Sequence, residues 1–311
     1  MIRTFLFFSA IFFSLMLTAQ NDEPQTLHTP TGDLQGSLIV PAGQSRFDLM
    51  ILQAGSGPTD RNGNSPLGVS ANSYRLLANV LAKEGVATLL IDKRGIAASK
   101  AAGKDESALV FDNYIEDMAA WATQLKTDRR VKKIILAGHS EGSLIAMIAA
   151  QKVKADKYIS IAGPSKPINE ILSWQLNQRA PILAPAADSI MNKMKNGEKV
   201  DSIPPMLFSL FRPSIQPYMI SWMKYNPCEE IKKLSVPVLI IQGTTDLQVQ
   251  QSEGEALHQC NPASSLSIIN GMNHVLKDAP AEMAANMATY KNADLPLSEK
   301  LVADIVKFIK E

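Results

Sequence analysis

The sequence has few of the residues that bind metals or nucleic acids. It contains four histidines and two cysteines in 311 residues, and their spacing does not match a zinc site. The formal net charge is +1, and no basic run is interleaved with aromatic residues. Because phosphate backbones are bound by clustered lysine and arginine, we do not expect a nucleic-acid partner.

The apolar segment near the N-terminus is too short for a membrane span. Arg3 precedes apolar residues 5–17, and small and polar residues follow, whereas a span needs about 20 apolar residues. This order predicts a secretory signal peptide, residues 1–20, cleaved near Ala19 or Gln20. No cysteine follows the segment, which disfavours a lipoprotein anchor. We expect an exported protein, periplasmic or extracellular, without a stable membrane anchor.

Export makes a disulfide chemically possible. Cys228 and Cys260 are the two cysteines of the chain, so at most one intramolecular bridge forms. Two separate buried thiols are the alternative that the sequence leaves open.

Beyond residue 20, short apolar strands alternate with helical patterns. This alternation is typical of an α/β fold with a mainly parallel central sheet flanked by helices. We expect its first strand to be antiparallel. Strands are predicted at 31–41, 47–53, 86–91, 131–137, 158–162, 236–242 and 266–269, and helices at 74–83, 113–125, around 144–150 and from about 296 to the C-terminus.

The alternation breaks between Pro164 and Leu234, over a segment too long for a plain connection. We predict a helical cap at 164–234, inserted between core segments 21–163 and 235–311. Methionine and aromatic residues are dense there. We expect them to form the cap's own core rather than a substrate wall, with a double role for some as the alternative: Met191, Met194, Met206, Phe208, Phe211, Met219, Trp222 and Tyr225.

One serine lies between two glycines in the sequence GHSEG at 138–142. The G-x-S-x-G pattern has weight only where a strand precedes it and a helix follows, and both are predicted here. The glycines suit a tight turn that projects the hydroxyl of Ser140 at the carboxyl end of the sheet. Ser140 is therefore a candidate nucleophile, and a plain helix N-cap is the alternative.

A nucleophilic serine needs a base to remove its proton. His28 lies near the start of the mature chain, and His258 falls in a solvent-facing helical pattern. The side chain of His139, beside the serine, should point into the fold. His274 directly follows the strand predicted at 266–269 and is the best candidate base.

The acid that orients the base should follow a strand between the two. Asp246 comes after the strand predicted at 236–242, whereas Asp278 follows no strand. The order Ser140, Asp246, His274 is the one expected of an α/β-hydrolase triad.

An oxyanion needs two hydrogen-bond donors. We expect one to be the backbone N–H of Glu141, which follows the candidate nucleophile. The other should come from the glycine-rich loop after the strand at 47–53, where we favour the N–H of Ser56, with Gly55 or Gly57 as alternatives.

Five motifs together resemble the α/β-hydrolase superfamily, and more particularly its bacterial serine carboxylesterases that carry an AGSGPTDRxGN oxyanion loop and a GHSEG elbow. The resemblance implies the α/β-hydrolase fold and a Ser-His-Asp esterase acting on short acyl esters of small molecules. The motifs are AGSGPTDRNGN at 54–64, DKRG at 92–95, GHSEG at 138–142, GTTD at 243–246 and GMNH at 271–274.

Glu141 is a charged residue beside the candidate nucleophile. We hypothesise that it pairs with Arg61 or Arg94 and holds the oxyanion loop against the elbow, with Gly55, Gly57 and Arg61 as supports of that loop. A solvent-facing carboxylate is the alternative.

These observations predict an exported serine hydrolase that cleaves carboxylic esters with short to medium acyl chains through an acyl-enzyme, without a metal or organic cofactor. A serine peptidase, such as an aminopeptidase, and a deacetylase of sugar or antibiotic esters stay open, as does a non-catalytic binding protein. An aminopeptidase would need carboxylates near Ser140, for which Glu170 and Asp188 are candidates. The oligomeric state is not indicated.

Overall fold

Residues 21–103 and 105–311 are described by a computed structural model. The predicted signal peptide lies outside the described residues. The strands of the described part are β1 Asn21–Thr29, β2 Gly32–Val40, β3 Phe47–Gln53, β4 Asn64–Ser65, β5 Val69–Ser70, β6 Val86–Ile91, β7 Val131–His139, β8 Lys157–Ile161, β9 Val238–Gly243 and β10 Ser265–Ile269.

Eight of these strands form the central sheet, in the order β1-β2-β6-β3-β7-β8-β9-β10. The pairs β1–β2 and β2–β6 are antiparallel, and the others are parallel. The sheet is mainly parallel, as expected. The first predicted strand, at 31–41, corresponds to β2, and its antiparallel orientation is confirmed. Strand β1 was not predicted, because it is a largely exposed edge strand with Pro24 and little apolar alternation.

Helices cover both faces of the sheet. The helices of the described part are α1 Ser73–Lys83, α2 Phe111–Leu125, α3 Glu141–Val153, α4 Ile168–Arg179, α5 Ala184–Lys195, α6 Phe208–Phe211, α7 Gln216–Trp222, α8 Pro227–Ile231, α9 Gln251–Cys260, α10 Met283–Ala288 and α11 Glu299–Lys310. One hydrophobic cluster joins the sheet to α2 and α3, and a second joins it to α1 and α11. No helix in this part of the chain is long and apolar enough to cross a membrane.

Five helices, α4 to α8, lie between β8 and β9 in the chain, where an insertion was predicted. The expectation that their methionine and aromatic residues form a core rather than a substrate wall holds for most of them, but that core is shared with the sheet and its helices and is not the insertion's own. Most pack into the cluster that contains α2 and α3, and Trp222 stacks on Phe111 of α2 with 5.4 Å between the ring centroids. Met206 and Phe208 are exposed. The domain boundaries at 164 and 234 stay a prediction.

A disulfide joins Cys228 in α8 to Cys260 in α9, with 5.5 Å between the Cα atoms. Of the two alternatives left open by the sequence, the structure has the bridge. It fastens the last helix of the insertion to a helix that packs on β9 and β10.

Removal of this bridge should destabilise the protein. The cross-link closes a loop with a sequence separation of 32, for which loop-closure entropy corresponds to roughly 3–4 kcal/mol. We expect the Cys228→Ser/Cys260→Ser variant to lose about that much free energy of unfolding in urea titrations under oxidising conditions. Dithiothreitol should lower the wild type to the level of the variant and leave the variant unchanged; equal stability of both proteins without reductant would contradict this.

Candidate active site

Ser140 occupies a tight turn between β7 and α3. Its backbone has φ 55° and ψ −122°, a conformation that costs energy in a residue with a side chain. Both neighbouring glycines are required by space: a Cβ atom at Gly138 would overlap the carbonyl oxygen of Gly142, and one at Gly142 would overlap the carbonyl oxygen of Gln53. The strand, the turn and the helix stand as predicted around the GHSEG sequence.

The N-cap interpretation of Ser140 finds no support in the contacts. Ser140 stands at the N-cap position of α3, but its side chain makes no capping hydrogen bond to the described residues of the helix. Its backbone N–H donates to the carbonyl oxygen of Ile161 in β8, at 2.9 Å. The hydroxyl of Ser140 is therefore not engaged in capping α3 and is available at the carboxyl end of the sheet.

His274 and Asp246 follow neighbouring strands β10 and β9 and meet in a buried hydrogen bond. The distance from Nδ1 of His274 to Oδ2 of Asp246 is 2.8 Å. Oδ1 of Asp246 accepts the backbone N–H groups of Gln248 and Val249, at 2.7 and 3.0 Å. Burial alone would raise the pKa of Asp246, but His274 and these N–H groups hold it below its usual value. The carboxylate is therefore ionised at neutral pH.

His139 links three parts of the site, and its side chain points into the fold as predicted. Its Nε2 lies 2.9 Å from the carbonyl oxygen of His274, and its Nδ1 lies 2.8 Å from the hydroxyl of Tyr74. A carbonyl only accepts, so Nε2 carries the proton and Nδ1 of the neutral ring accepts the hydroxyl proton of Tyr74. The Tyr74 oxygen in turn accepts the N–H of Gly55, at 3.3 Å.

The glycine-rich loop after β3, the candidate oxyanion loop, lies directly against the turn at Ser140. A Cβ atom at Gly55 would stand 3.1 Å from Cβ of Ser140, so the close approach depends on glycine at this position. The N–H of Gly55 is engaged by Tyr74, and its carbonyl oxygen accepts a hydrogen bond from Nζ of Lys93, at 2.5 Å. Ser56 and Gly57, which follow, are exposed.

The hypothesis that Glu141 pairs with an arginine is wrong. The guanidinium group of Arg61 donates from Nε and Nη2 to Oδ2 of Asp92, at 2.9 and 2.7 Å, and the backbone N–H of Arg61 donates to Oδ1. Arg94 pairs with Asp117, at 2.5 and 3.0 Å. Arg61 therefore fastens the oxyanion loop to the end of β6 rather than to the elbow.

Glu141 instead meets Lys93 and Tyr218, and all three side chains are buried. The hydroxyl of Tyr218, from α7 of the insertion, donates to Oε1 of Glu141 at 2.7 Å. Nζ of Lys93 lies 3.7 Å from the same oxygen. Burial lowers the pKa of Lys93, and Glu141 opposes that shift. The solvent-facing alternative for Glu141 is therefore also wrong.

Sequence reasoning missed Lys93, Tyr74 and Tyr218 as parts of this site. The position of Lys93 directly after a central strand, within DKRG, was a usable signal. Tyr74 and Tyr218 carried no signal, because one begins a helix with an ordinary apolar pattern and the other lies in the insertion.

A cavity of about 910 Å³ begins beside Glu141 and the oxyanion loop. Glu170 and Asp188 are not among the described residues that line it, so the predicted carboxylate candidates do not reach it. The lining combines apolar side chains with two tyrosines and charged groups, and includes Gly57, Pro58, Arg94, Ile96, Glu106, Leu109, Tyr114, Glu141, Arg212, Ile215 and Tyr218. No group of three or more His, Cys, Asp or Glu side chains in residues 21–103 and 105–311 is placed to hold a metal ion.

A mainly parallel sheet with a serine elbow after β7 and an acid and a histidine after β9 and β10 defines the α/β-hydrolase class. Residues 67–278, more than half of the chain, match the family described as serine aminopeptidase, S33. The chain belongs to this family.

Similar proteins include several esterases. Esterase EstD of Thermotoga maritima is 26% identical over 260 residues, which are 80% of this chain and 60% of that protein, so the chain spans about 60% of the length of this curated relative. The structure of Est1E from Butyrivibrio proteoclasticus is 17% identical with a TM-score of 0.59, over 93% of this chain and 99% of that one. An esterase from Pyrococcus furiosus is 18% identical with a TM-score of 0.62, over 94% and 91%. At these identities the two structures support the fold.

The buried His139 should make the fold sensitive to acid. Burial is the main cause that lowers the pKa of His139 from its usual 6.5 to about 3. Between these values the unfolded chain takes up a proton that the native ring does not, so stability falls as pH falls, by up to about 1.4 kcal/mol per pH unit from this group. Urea unfolding from pH 7 to 4 measures this slope.

His139→Gln removes the titrating ring, and we expect its free energy of unfolding to fall less steeply with acid than that of the wild type. His28→Gln, which alters an exposed histidine, is the control and should keep the wild-type slope. Parallel pH curves for the wild type and His139→Gln would refute the assignment of a buried, neutral His139.

Proposed function

We propose that this chain is a serine hydrolase that cleaves carboxylic esters of small molecules through an acyl-enzyme intermediate. The single observation that carries the proposal is the 2.8 Å hydrogen bond between His274 and Asp246 at the sheet edge where Ser140 sits in its strained turn. A base oriented by a carboxylate, beside a serine held on an elbow, is the arrangement that nucleophilic acyl transfer needs.

In the first half-reaction, Oγ of Ser140 attacks the ester carbonyl carbon while Nε2 of His274 takes the hydroxyl proton. Asp246 accepts the Nδ1–H of His274, which fixes the tautomer and stabilises the imidazolium that forms. The tetrahedral intermediate then collapses, its bond to the alcohol oxygen breaks, and Nε2 returns the proton to that leaving oxygen. The product of this half is an alcohol and an ester of Ser140.

In the second half-reaction, water replaces the alcohol. His274 removes a proton from the water, whose oxygen attacks the acyl carbon, and the collapse of the new intermediate releases the acid. The proton on His274 returns to Oγ of Ser140, so the enzyme is restored.

The developing oxyanion is held by the backbone N–H groups of Glu141 and Ser56. Glu141 starts α3, so the positive end of the helix dipole adds to its N–H. Of the alternatives on the loop, the N–H of Gly55 is engaged by Tyr74, which favours Ser56 as the second donor. Gly57 gives the loop its turn at φ 70°, and Arg61 supports it through Asp92.

The cavity beside Glu141 favours uncharged substrate groups. Its two arginines already have partners, since Arg94 pairs with Asp117 and Arg212 with Glu106. The lining also includes several apolar side chains and the rings of Tyr114 and Tyr218, so a short to medium acyl chain is the best match. In this proposal the insertion at 164–234 acts as a cap, because Tyr218 of α7 forms part of the wall together with Arg212 and Ile215, which precede that helix.

An aminopeptidase is the second candidate, because the matched family is described as one. Recognition of a free amine needs an unpaired carboxylate near the nucleophile. Three acids among the described residues line the cavity: Glu106 is bound by Arg212, Glu141 is bound by Tyr218 with Lys93 beside it, and Asp105 accepts the N–H and hydroxyl of Ser107. Glu141, the acid next to Ser140, thus already has its partners, which favours esters over aminoacyl amides.

A fluorophosphonate probe tests the nucleophile. We expect the wild type to be labelled at Ser140, as read by mass spectrometry of the modified peptide, and Ser140→Ala to lose labelling and at least about 10³-fold in ester turnover. Ser252→Ala, which alters an exposed serine of α9, should keep both. A wild type without label at Ser140 would exclude the serine-hydrolase proposal.

A substrate panel then separates the two candidate activities. We expect p-nitrophenyl esters from acetate to octanoate to be cleaved with a higher kcat/KM than any aminoacyl p-nitroanilide. Preference for the anilides with a free amine would assign the chain to the aminopeptidases instead.

We also propose that the protein is exported. The order of charged, apolar and small residues at 1–20 supports this, and the bridge between Cys228 and Cys260 fits an oxidising compartment. N-terminal sequencing of the mature protein should find a start at residue 20 or 21; an intact Met1 in the mature protein would contradict export through this segment.

A further inference from the structure

A buried lysine joins the two backbone segments that carry the proposed oxyanion donors. Lys93 is 4% exposed and Glu141 is 3% exposed. Nζ of Lys93 donates to the carbonyl oxygen of Gly55 at 2.5 Å and lies 3.7 Å from Oε1 of Glu141. One ammonium group thus contacts the oxyanion loop and the first residue of α3 at once.

The contact with Gly55 fixes the orientation of the next N–H group. In a trans peptide the C=O and N–H bonds point in opposite directions, and the described chain has no cis peptide bond. The carbonyl of Gly55 and the N–H of Ser56 belong to the same peptide unit. Because Lys93 holds the carbonyl from the buried side, the N–H of Ser56 points away from Lys93, toward the exposed side of the loop.

The contact between Lys93 and Glu141 involves the residue whose backbone N–H is the other proposed oxyanion donor. The side chain of Glu141 is held by the hydroxyl of Tyr218 at 2.7 Å and by Lys93, and its backbone N–H is the first proposed donor. The ammonium group also lies 5.3 Å from the ring centroid of Tyr114, a cation–π contact with a wall of the cavity. Lys93 therefore has partners on the loop, the elbow and the substrate cavity.

We infer that Lys93 is a positioning residue that sets the separation of the two oxyanion donors, the N–H groups of Ser56 and Glu141. The inference rests on the proposed function, whose transition state these donors stabilise. Lys93 does not touch the reacting atoms in this role; it acts through the Gly55 carbonyl and the Glu141 carboxylate.

A contribution to fold stability alone does not account for the buried Lys93–Glu141 pair. A buried ion pair is often no more stabilising than apolar residues of similar volume, because both charges lose their hydration. The partners of Lys93, in contrast, are the two segments whose relative position decides whether an oxyanion is bound. Small errors in such positions cost far more in the transition state than in the ground state.

Three variants test the inference. Lys93→Met keeps the length of the side chain without its donor and charge. Glu141→Gln keeps the bond to Tyr218 and removes the charge, and serves if Lys93→Met folds poorly. Lys157→Met is the matched control, because Lys157 is also buried and donates to a backbone carbonyl, that of Phe308, at the opposite end of the sheet.

The readouts are kcat and KM on a short p-nitrophenyl ester, the rate of fluorophosphonate labelling, and the inhibition constant of a trifluoromethyl ketone, whose adduct with Ser140 carries an oxyanion. For Lys93→Met we expect kcat to fall about 10- to 100-fold with KM within about twofold, against roughly 10²- to 10³-fold for loss of a whole donor. The ketone's inhibition constant should rise by the same factor as kcat/KM falls. A purely structural role would not produce that proportionality.

The outcomes distinguish the positioning role of Lys93 from the serine-hydrolase activity itself. If folded Lys93→Met and Glu141→Gln keep wild-type kcat/KM, or lose it without a matching loss of ketone affinity, the inference is overturned while labelling of the wild type still supports the proposed function. A wild type that is not labelled at Ser140 removes both. Equal losses in Lys93→Met and Lys157→Met would assign the effect to general destabilisation and overturn the inference as well.

Discussion

The tight turn at Ser140 is the constraint around which the rest of the site is arranged. It works only because β7, the start of α3 and the end of β3 come so close that two of the surrounding positions have no room for a Cβ atom. As a result, the carbonyl oxygen of Gln53 lies against the first turn of α3. The candidate oxyanion loop starts at the next residue, Ala54, and therefore lies beside Ser140. The turn is strained, and the packing of α3 on both β3 and β7 supplies the energy that keeps it in place.

A second layer of buried polar side chains holds what the turn has brought together. His139 connects the backbone of His274 to Tyr74 and, through it, to Gly55, while Lys93 connects the same glycine to Glu141. Gly55 is thus held at both its N–H and its carbonyl oxygen. These side chains can be buried because their polar atoms are hydrogen-bonded, which offsets the free-energy cost of removing them from water. The loop between β3 and α1 is therefore fixed from below, by groups that are not themselves exposed to substrate.

Much of this arrangement could be predicted from the sequence, because the strands that precede the three candidate catalytic residues have short, apolar, regular patterns. Ser140, Asp246 and His274 follow β7, β9 and β10. Because these strands are parallel, their carboxyl ends lie on the same side of the sheet and bring the three residues together. Pairing among charged side chains was not predictable in the same way. Glu141 had several cations within a plausible reach. The choice of Lys93 over Arg94 depends on which of the two the bend after β6 turns inward, and Arg61, on the loop after β3, is taken by Asp92.

The edge strand and the packing of the insertion's side chains escaped prediction for a different reason. β1 is largely exposed, so no apolar pattern marks it, and its pairing follows from the exposed hydrogen-bonding edge of β2. The methionine and aromatic residues of the insertion have a composition typical of a core. Their spacing, however, does not follow a regular period that would predict which surface they pack against. Only the fold shows that Trp222 lies on Phe111 and that Phe208 faces solvent.

The Cys228–Cys260 bridge and the Tyr218–Glu141 bond fix the later part of the insertion to the core at two points. The earlier part is held by non-covalent contacts, among them the hydrogen bonds of Gln175 and Arg179 to the carbonyl oxygens of Gln248 and Leu247, next to Asp246. An exchange of this earlier part with the corresponding segment of another hydrolase would have to reproduce these contacts to leave Asp246 in place. A chimera that does so and keeps Tyr218 and Cys228 would acquire new walls for its cavity.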